Sequence, residues 1–201
     1  MFDLGSPFDS TIPAGASLLV GGPPLTGKRR LGLDVIQRGL DEGDACILVT
    51  TTVTADQVLS MAPFRAEEVA VIDCVTRHLG LSASPTDRLR YASSPEDMTG
   101  IGIEFSELVG TVAREGDGLR VVFDSLTPLL VYADIQTVFR FLRVLVSRIE
   151  TMDALGVFTM DTTAHPDRDV SVVGCLFDGH ITTSEDAPAT LSLDSDPTPT
   201  T

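Results

Sequence analysis

The stretch Gly22-Pro23-Pro24-Leu25-Thr26-Gly27-Lys28-Arg29 decides how this chain folds. It follows a short apolar run, Ser17 to Gly21. It precedes a segment in which Leu31, Val35, Ile36 and Leu40 share one helical face, from Lys28 to about Glu42. Strand, glycine-bearing loop and helix, in that order, are the context of the phosphate-binding pattern G-x-x-x-x-G-K-[ST]. There, backbone N–H groups cradle phosphate oxygens, the lysine reaches the outer phosphates and the last hydroxyl holds Mg²⁺. Gly22, Gly27 and Lys28 meet the pattern, and Lys28 is the only lysine in 201 residues. The nucleotide-binding reading assigns Gly22, Pro23, Leu25, Thr26, Gly27, Lys28 and Arg29 to the site. Arg29 stands where the hydroxyl belongs, and a guanidinium repels Mg²⁺ rather than ligating it. Two roles are open for it: pairing with a phosphate oxygen, or pointing to solvent in a decaying site.

Outward from the loop, apolar strands alternate with helical patterns. Gly43 ends the first helix, and Ala45 to Thr50 reads as a second buried strand. Thr54 caps a short helix containing Val58, Leu59 and Met61, which Pro63 closes. Glu68 to Cys74 gives a third strand, and residues 75–95 read as a long surface connection with a short strand at Leu89-Arg90-Tyr91. A helix is expected from Met98 to Glu115, a strand at Leu119 to Phe123, and a strongly periodic helix from Asp134 to Met152. Leu155 to Met160 and Leu176 to Thr183 supply two more strands. The pattern predicts an α/β domain over residues 1–184, a mostly parallel central sheet covered on both faces. Residues 185–201 read as an acidic, disordered tail, with Ala189 to Leu193 as an optional edge strand.

Two further features bear on chemistry. The strand at Leu119 runs directly into Asp124-Ser125, the place of the carboxylate that orients Mg²⁺ in phosphoryl-transfer sites, so Asp124 is the candidate metal residue. The second is an absence. Hydrolysis needs a group that orients the attacking water, and such a group usually follows the second strand. Here that stretch is Thr50-Thr51-Thr52-Val53-Thr54, with no acid before Asp56.

Fourteen basic against 29 acidic residues give a net charge of −15 and a pI near 4.3. Nucleic-acid binding needs cations opposite phosphates, so a role on DNA or RNA is disfavoured. Arg140, Arg143 and Arg148 make no basic track with interleaved aromatics. High acidity with a single lysine points to a salt-adapted, haloarchaeal type of protein. Cys46, Cys74 and Cys175 are far apart in apolar runs and read as buried free thiols. His78 and His180 have no partners at metal-ligand spacing. No basic leader or membrane-length apolar run is present, so a cytoplasmic location is expected.

Thr11-Ile12-Pro13-Ala14-Gly15, the loop 21–28, the segment Val121 to Leu129 and the ending Thr162 to Pro166 with Leu176 to Ile181 resemble the RecA/RadA/KaiC group of P-loop ATPases. The match is best to the KaiC-like, RadA-related proteins of archaea and spans about residues 10–183. The resemblance implies a three-layer RecA-like core, ATP or ADP with Mg²⁺ as ligands, and ring or filament assembly. It places the paired catalytic glutamates of the group at Thr52 and Val53, and the metal hydroxyl at Arg29, so the chain is a degenerate member. It also places His165 and Arg168 in a loop that approaches a neighbouring subunit, leaving Arg168 either a contact in trans or a solvated arginine. The expected function is nucleotide binding with a regulatory or signalling role and impaired or absent hydrolysis, in contact with a protein partner or further copies. The alternatives are a slow ATPase and a recombinase-paralogue accessory protein in DNA repair.

Overall fold

The computed structural model describes residues 1–5, 8, 10–114 and 116–193. An eight-stranded sheet forms the centre, built from β3 (Ser17–Gly22), β4 (Ala45–Thr50), β5 (Ala70–Asp73), β6 (Leu89–Tyr91), β7 (Leu119–Asp124), β8 (Leu155–Asp161), β9 (Gly179–Thr182) and β10 (Thr190–Leu193). Their order is β10-β9-β3-β8-β7-β4-β5-β6, and every pairing is parallel except β9 with β10. A separate two-stranded ribbon joins β1 (Phe2–Asp3) to β2 (Thr11–Ile12).

Side chains alternate across a strand, and the alternation builds two cores. Leu18, Val20, Leu48, Val71, Val122 and Val157 face α1 (Lys28–Glu42), α2 (Ala55–Met61) and the N-terminal ribbon. Leu19, Ile47, Val49, Val121, Phe123 and Phe158 face the other way. There they meet α3 (Met98–Val112), α4 (Thr127–Tyr132), α5 (Ile135–Thr151) and α6 (Asp167–Gly174). Helix, sheet and helix make the three layers of a RecA-like fold.

Local chemistry sets the helix ends. Thr54 and Gln57 form a reciprocal capping box on α2, and Asp134 caps α5 by accepting from Thr137 N–H. Gly43 ends α1 in the left-handed conformation (φ 84°), its N–H returning to the carbonyls of Gly39 and Leu40. Helix α1 lies close on β7 because Gly32 and Gly39 face it: a Cβ at Gly32 would stand 2.9 Å from Val122 Cγ1.

Several boundaries differ from the sequence expectations. The third strand is Ala70–Asp73 rather than Glu68 to Cys74, because the buried Asp73 carboxylate accepts from the N–H groups of Ala55, Val75 and Thr76 and turns the chain. The last parallel strand begins at Gly179, not Leu176: Leu176 and Phe177 donate backward to Val173 and Gly174 and prolong the end of α6. Helix α3 ends at Val112, before the expected Glu115, which lies outside the described residues. Helices α4 and α6 were not foreseen, although Pro128 near one start and Asp167 and Asp169 in the other's first turn suit helix beginnings. Cys175 is exposed at the end of α6, so only Cys46 and Cys74 are buried. The edge strand β10 carries the sheet past residue 184, and residues 194–201 lie outside the described residues. Among the described residues no helix is long and apolar enough to cross a membrane.

Candidate functional site

In an open α/β sheet, ligands bind beyond the carboxyl ends of the strands. The register of this sheet sets Gly22 opposite Asp161 and Thr50 opposite Asp124, so β3, β8, β7 and β4 bring their last residues to one edge. A cleft of about 480 Å³ lies there, lined by Leu25, Lys28, Arg29, Thr52, Asp124 and Asp161 among others.

The loop from β3 to α1 supplies donors to this cleft. Leu25 (φ 62°) and Gly27 (φ 87°) are both left-handed, and Leu25 is fully exposed. A branched residue in that region is strained by about 1–3 kcal/mol, a cost that clusters at functional loops. Pro23 and Pro24 carry no N–H, so the donors come from Leu25 to Arg29. Among the described residues, nothing accepts a hydrogen bond from those backbone N–H groups. The first turn of α1 contains no acid, leaving the positive end of a 15-residue helix uncancelled at the cleft.

The loop is held from behind. Thr26 Oγ1 donates to the Pro23 carbonyl at 2.9 Å and shares a 2.6 Å hydrogen bond with Thr183 Oγ1. Thr183 N–H in turn donates to Gly21 O at 2.8 Å. Only glycine fits at position 22, since a Cβ would lie 2.3 Å from both Thr183 O and Thr183 Oγ1. Lys28 Nζ donates to Gly22 O at 2.7 Å and also to Pro23 O. Burial pulls the Lys28 pKa below its usual 10.5, against the opposing pull of the Asp161 and Asp124 carboxylates.

Arg29 does not hang free in solvent; two side chains hold it. Its Nε donates to Asp124 Oδ2 at 2.5 Å and its Nη2 donates to Thr52 Oγ1 at 2.5 Å. Asp124 is nearly buried, and its other oxygen, Oδ1, accepts from Thr159 Oγ1 at 2.8 Å. Both carboxylate oxygens are therefore engaged. Mg²⁺ requires octahedral oxygen donors, and here one expected donor is a guanidinium and the other is bound to it. The residues present do not fit the ion. Among the described residues no cluster of three or more His, Cys, Asp or Glu side chains suits a metal.

The threonine run is committed to structure. Thr50 Oγ1 donates to Val53 O at 2.7 Å. Thr51 Oγ1 donates to Ser125 O at 2.6 Å and accepts from Ser125 N–H at 2.8 Å. Thr52 serves Arg29, and Thr54 caps α2. No carboxylate stands at Thr52 or Val53 to activate water.

Of the other candidates, Arg168 is exposed on α6 and does not line the cleft, and His78 is exposed. His180 lines a second cleft, about 540 Å³, beside Gly21, Gly22 and Cys175. His165 is half-buried, and burial lowers its pKa against the opposing pull of Asp161 and Asp169. The sequence reading missed Asp161, Thr159 and Thr183. Asp161 carried a usable signal, an apolar strand ending in Asp, the same one that marked Asp124. Nothing local marked the two threonines.

Sheet order and cleft position define a RecA-like, KaiC-like α/β fold. A family model described as a family of unknown function (DUF7504) matches residues 15–183, and the chain belongs to that family. Among solved structures it is similar to the KaiC-like protein PH0186 from the hyperthermophilic archaeon Pyrococcus horikoshii OT3. The TM-score is 0.65 at 16% identity, covering 90% of this chain and 78% of that one. A likeness at that identity speaks for the fold. No curated protein matches the chain.

Proposed function

We propose that this chain is a nucleotide-binding protein that grips the phosphates of ATP or ADP and does not hydrolyse them at an appreciable rate. Its conformation or its contacts with a partner, another copy included, follow occupancy of the site, which makes its role regulatory. The observation that carries this reading is that Leu25, Gly27, Lys28 and Arg29, whose backbone N–H groups have no partner among the described residues, line one cleft. At the metal-facing and water-facing positions that the resemblance implies stand Arg29, Thr52 and Val53. Phosphate affinity comes from loop donors and the lysine, whereas turnover needs a base to orient the attacking water, which these side chains do not supply.

Calorimetric titration with ADP and ATP, each with Mg²⁺ and with EDTA, tests the reading. Binding in at least one condition that falls about tenfold or more in Lys28→Ala is expected, with phosphate release at background. Absence of binding in every condition, or binding indifferent to Lys28→Ala, overturns it. Phosphate release abolished by Lys28→Ala establishes the slow ATPase instead.

A further inference from the structure

Arg29 reaches into the position where a phosphate-bound metal would meet the protein, and it does so as part of a built arrangement. Asp124 Oδ2 and Thr52 Oγ1 fix two of its N–H groups at 2.5 Å each, and Thr159 orients the carboxylate from the other side. A guanidinium carries five N–H donors, so three remain without a partner among the described residues. Arg29 and Lys28 line the same cleft. Together they present two fixed positive charges and a planar donor edge, a combination that recognises phosphate oxygens without a metal.

From this geometry we infer that the site takes the metal-free nucleotide, with the Arg29 guanidinium standing in for Mg²⁺. The inference rests on the nucleotide-binding reading and specifies the species bound. A nucleotide that arrives with Mg²⁺ brings a second cation against Arg29. The ion finds no free carboxylate oxygen on Asp124 and no hydroxyl at position 29, while the other carboxylate of the cleft, Asp161, holds Thr163 and draws on the Lys28 ammonium. It also withdraws from the guanidinium the phosphate oxygens that the guanidinium would bind. Mg²⁺ is therefore a competitor for the ligand rather than a cofactor. Occupancy then reports free nucleotide and, inversely, free Mg²⁺.

Displacement of a fluorescent ADP analogue from the full-length protein, at fixed ionic strength with Mg²⁺ titrated against EDTA, tests the inference. Affinity is expected to be highest in EDTA. It should weaken in step with the metal-free fraction, about tenfold once nine-tenths of the nucleotide is complexed, by the mass action that governs any partly competent population. In Arg29→Thr, which restores a hydroxyl and frees Asp124, the response should invert and Mg²⁺ should strengthen binding. Mg²⁺-strengthened binding to the wild-type chain overturns the inference and leaves the nucleotide-binding reading standing. An Arg29→Thr variant with the wild-type Mg²⁺ response also overturns it. No binding of the analogue under any condition overturns both.

Discussion

Arg29 Nε lies 2.5 Å from Asp124 Oδ2, joining the first turn of α1 to the end of β7 across 95 residues of sequence. The arginine is one-third exposed and the aspartate almost buried, so the pair sits between a surface ion pair and an interior one. Exposed pairs contribute at most about 1 kcal/mol, whereas stripping one partner from a buried pair costs about 3–5 kcal/mol. A double-mutant cycle of Arg29→Ala and Asp124→Ala, read by urea unfolding, should give a coupling of about 1–2 kcal/mol. A coupling near zero would mean that the guanidinium does not rest on Asp124 in solution.

Lys28 should titrate below 10.5. Burial penalises its ammonium more than Asp161 and Asp124 favour it. The folded pKa is depressed, so the unfolded chain takes up its proton first as pH falls from 10.5. The stabilising effect of the neutral amine is then lost as pH falls on through the folded pKa, and it returns as pH rises. Because the chain has one lysine, the side-chain NMR resonance is unambiguous, and its midpoint against that of the urea-unfolded chain measures the shift directly. A midpoint at or above 10.5 contradicts the geometry. Phosphate affinity that depends on the ammonium should decline at the same midpoint.

Arg120 on β7 is fully buried, which only several partners can sustain. Its Nε donates to Asp44 at 2.7 Å, Nη1 donates to the Asp3 carbonyl at 2.7 Å and Nη2 donates to Glu42 at 2.5 Å, while the Phe2 ring covers the guanidinium. Arg120→Ala should cost about 3–5 kcal/mol, since Asp44 and the Asp3 carbonyl lose this partner and only Glu42 keeps another, Arg38. Gly39→Ala shows the same packing from the other side. In an exposed helix the change would gain about 1 kcal/mol. Here the new Cβ would lie 2.6 Å from Arg120 Cδ and 2.9 Å from Cys46 Sγ, so overpacking wins and a loss of about 1–3 kcal/mol is expected. Both values are read from urea midpoints.

The three cysteines should separate cleanly. Cys175 is exposed, whereas burial pushes the Cys46 thiol up to about 12 and the Cys74 thiol higher still. A disulfide reagent at mildly alkaline pH should modify one thiol at once and two only after unfolding. Cys175→Ser should abolish the fast phase. A fast phase that survives the change would mean that the interior opens locally.

The order of strands and helices was legible because it rests on patterns within one segment. The periodicity of Ile135 to Ile149, the cap at Thr54 and the glycine after Glu42 all appear where the sequence places them. What misled were competing interactions from distant residues. Leu176 to Asp178 look like strand, but Asp178 instead accepts from Ser17 N–H at 2.8 Å, which holds the chain in a turn until Gly179. Cys175 looks buried in an apolar run, yet it falls on the open side of α6.

The sequence by itself determined the glycine-bearing loop Gly22 to Lys28, its attachment to a strand and a helix, and the absence of a hydroxyl at Arg29 and of an acid at Thr52 and Val53. These are matters of residue identity and local spacing. Only the tertiary structure decided what Arg29 does, because its partners lie on other strands: Thr52 beyond β4, Asp124 at the end of β7, and Thr159 on β8 behind it. A charged side chain is placed by the partners that compensate its desolvation, and parallel strand register, invisible in any one segment, brings those partners to it.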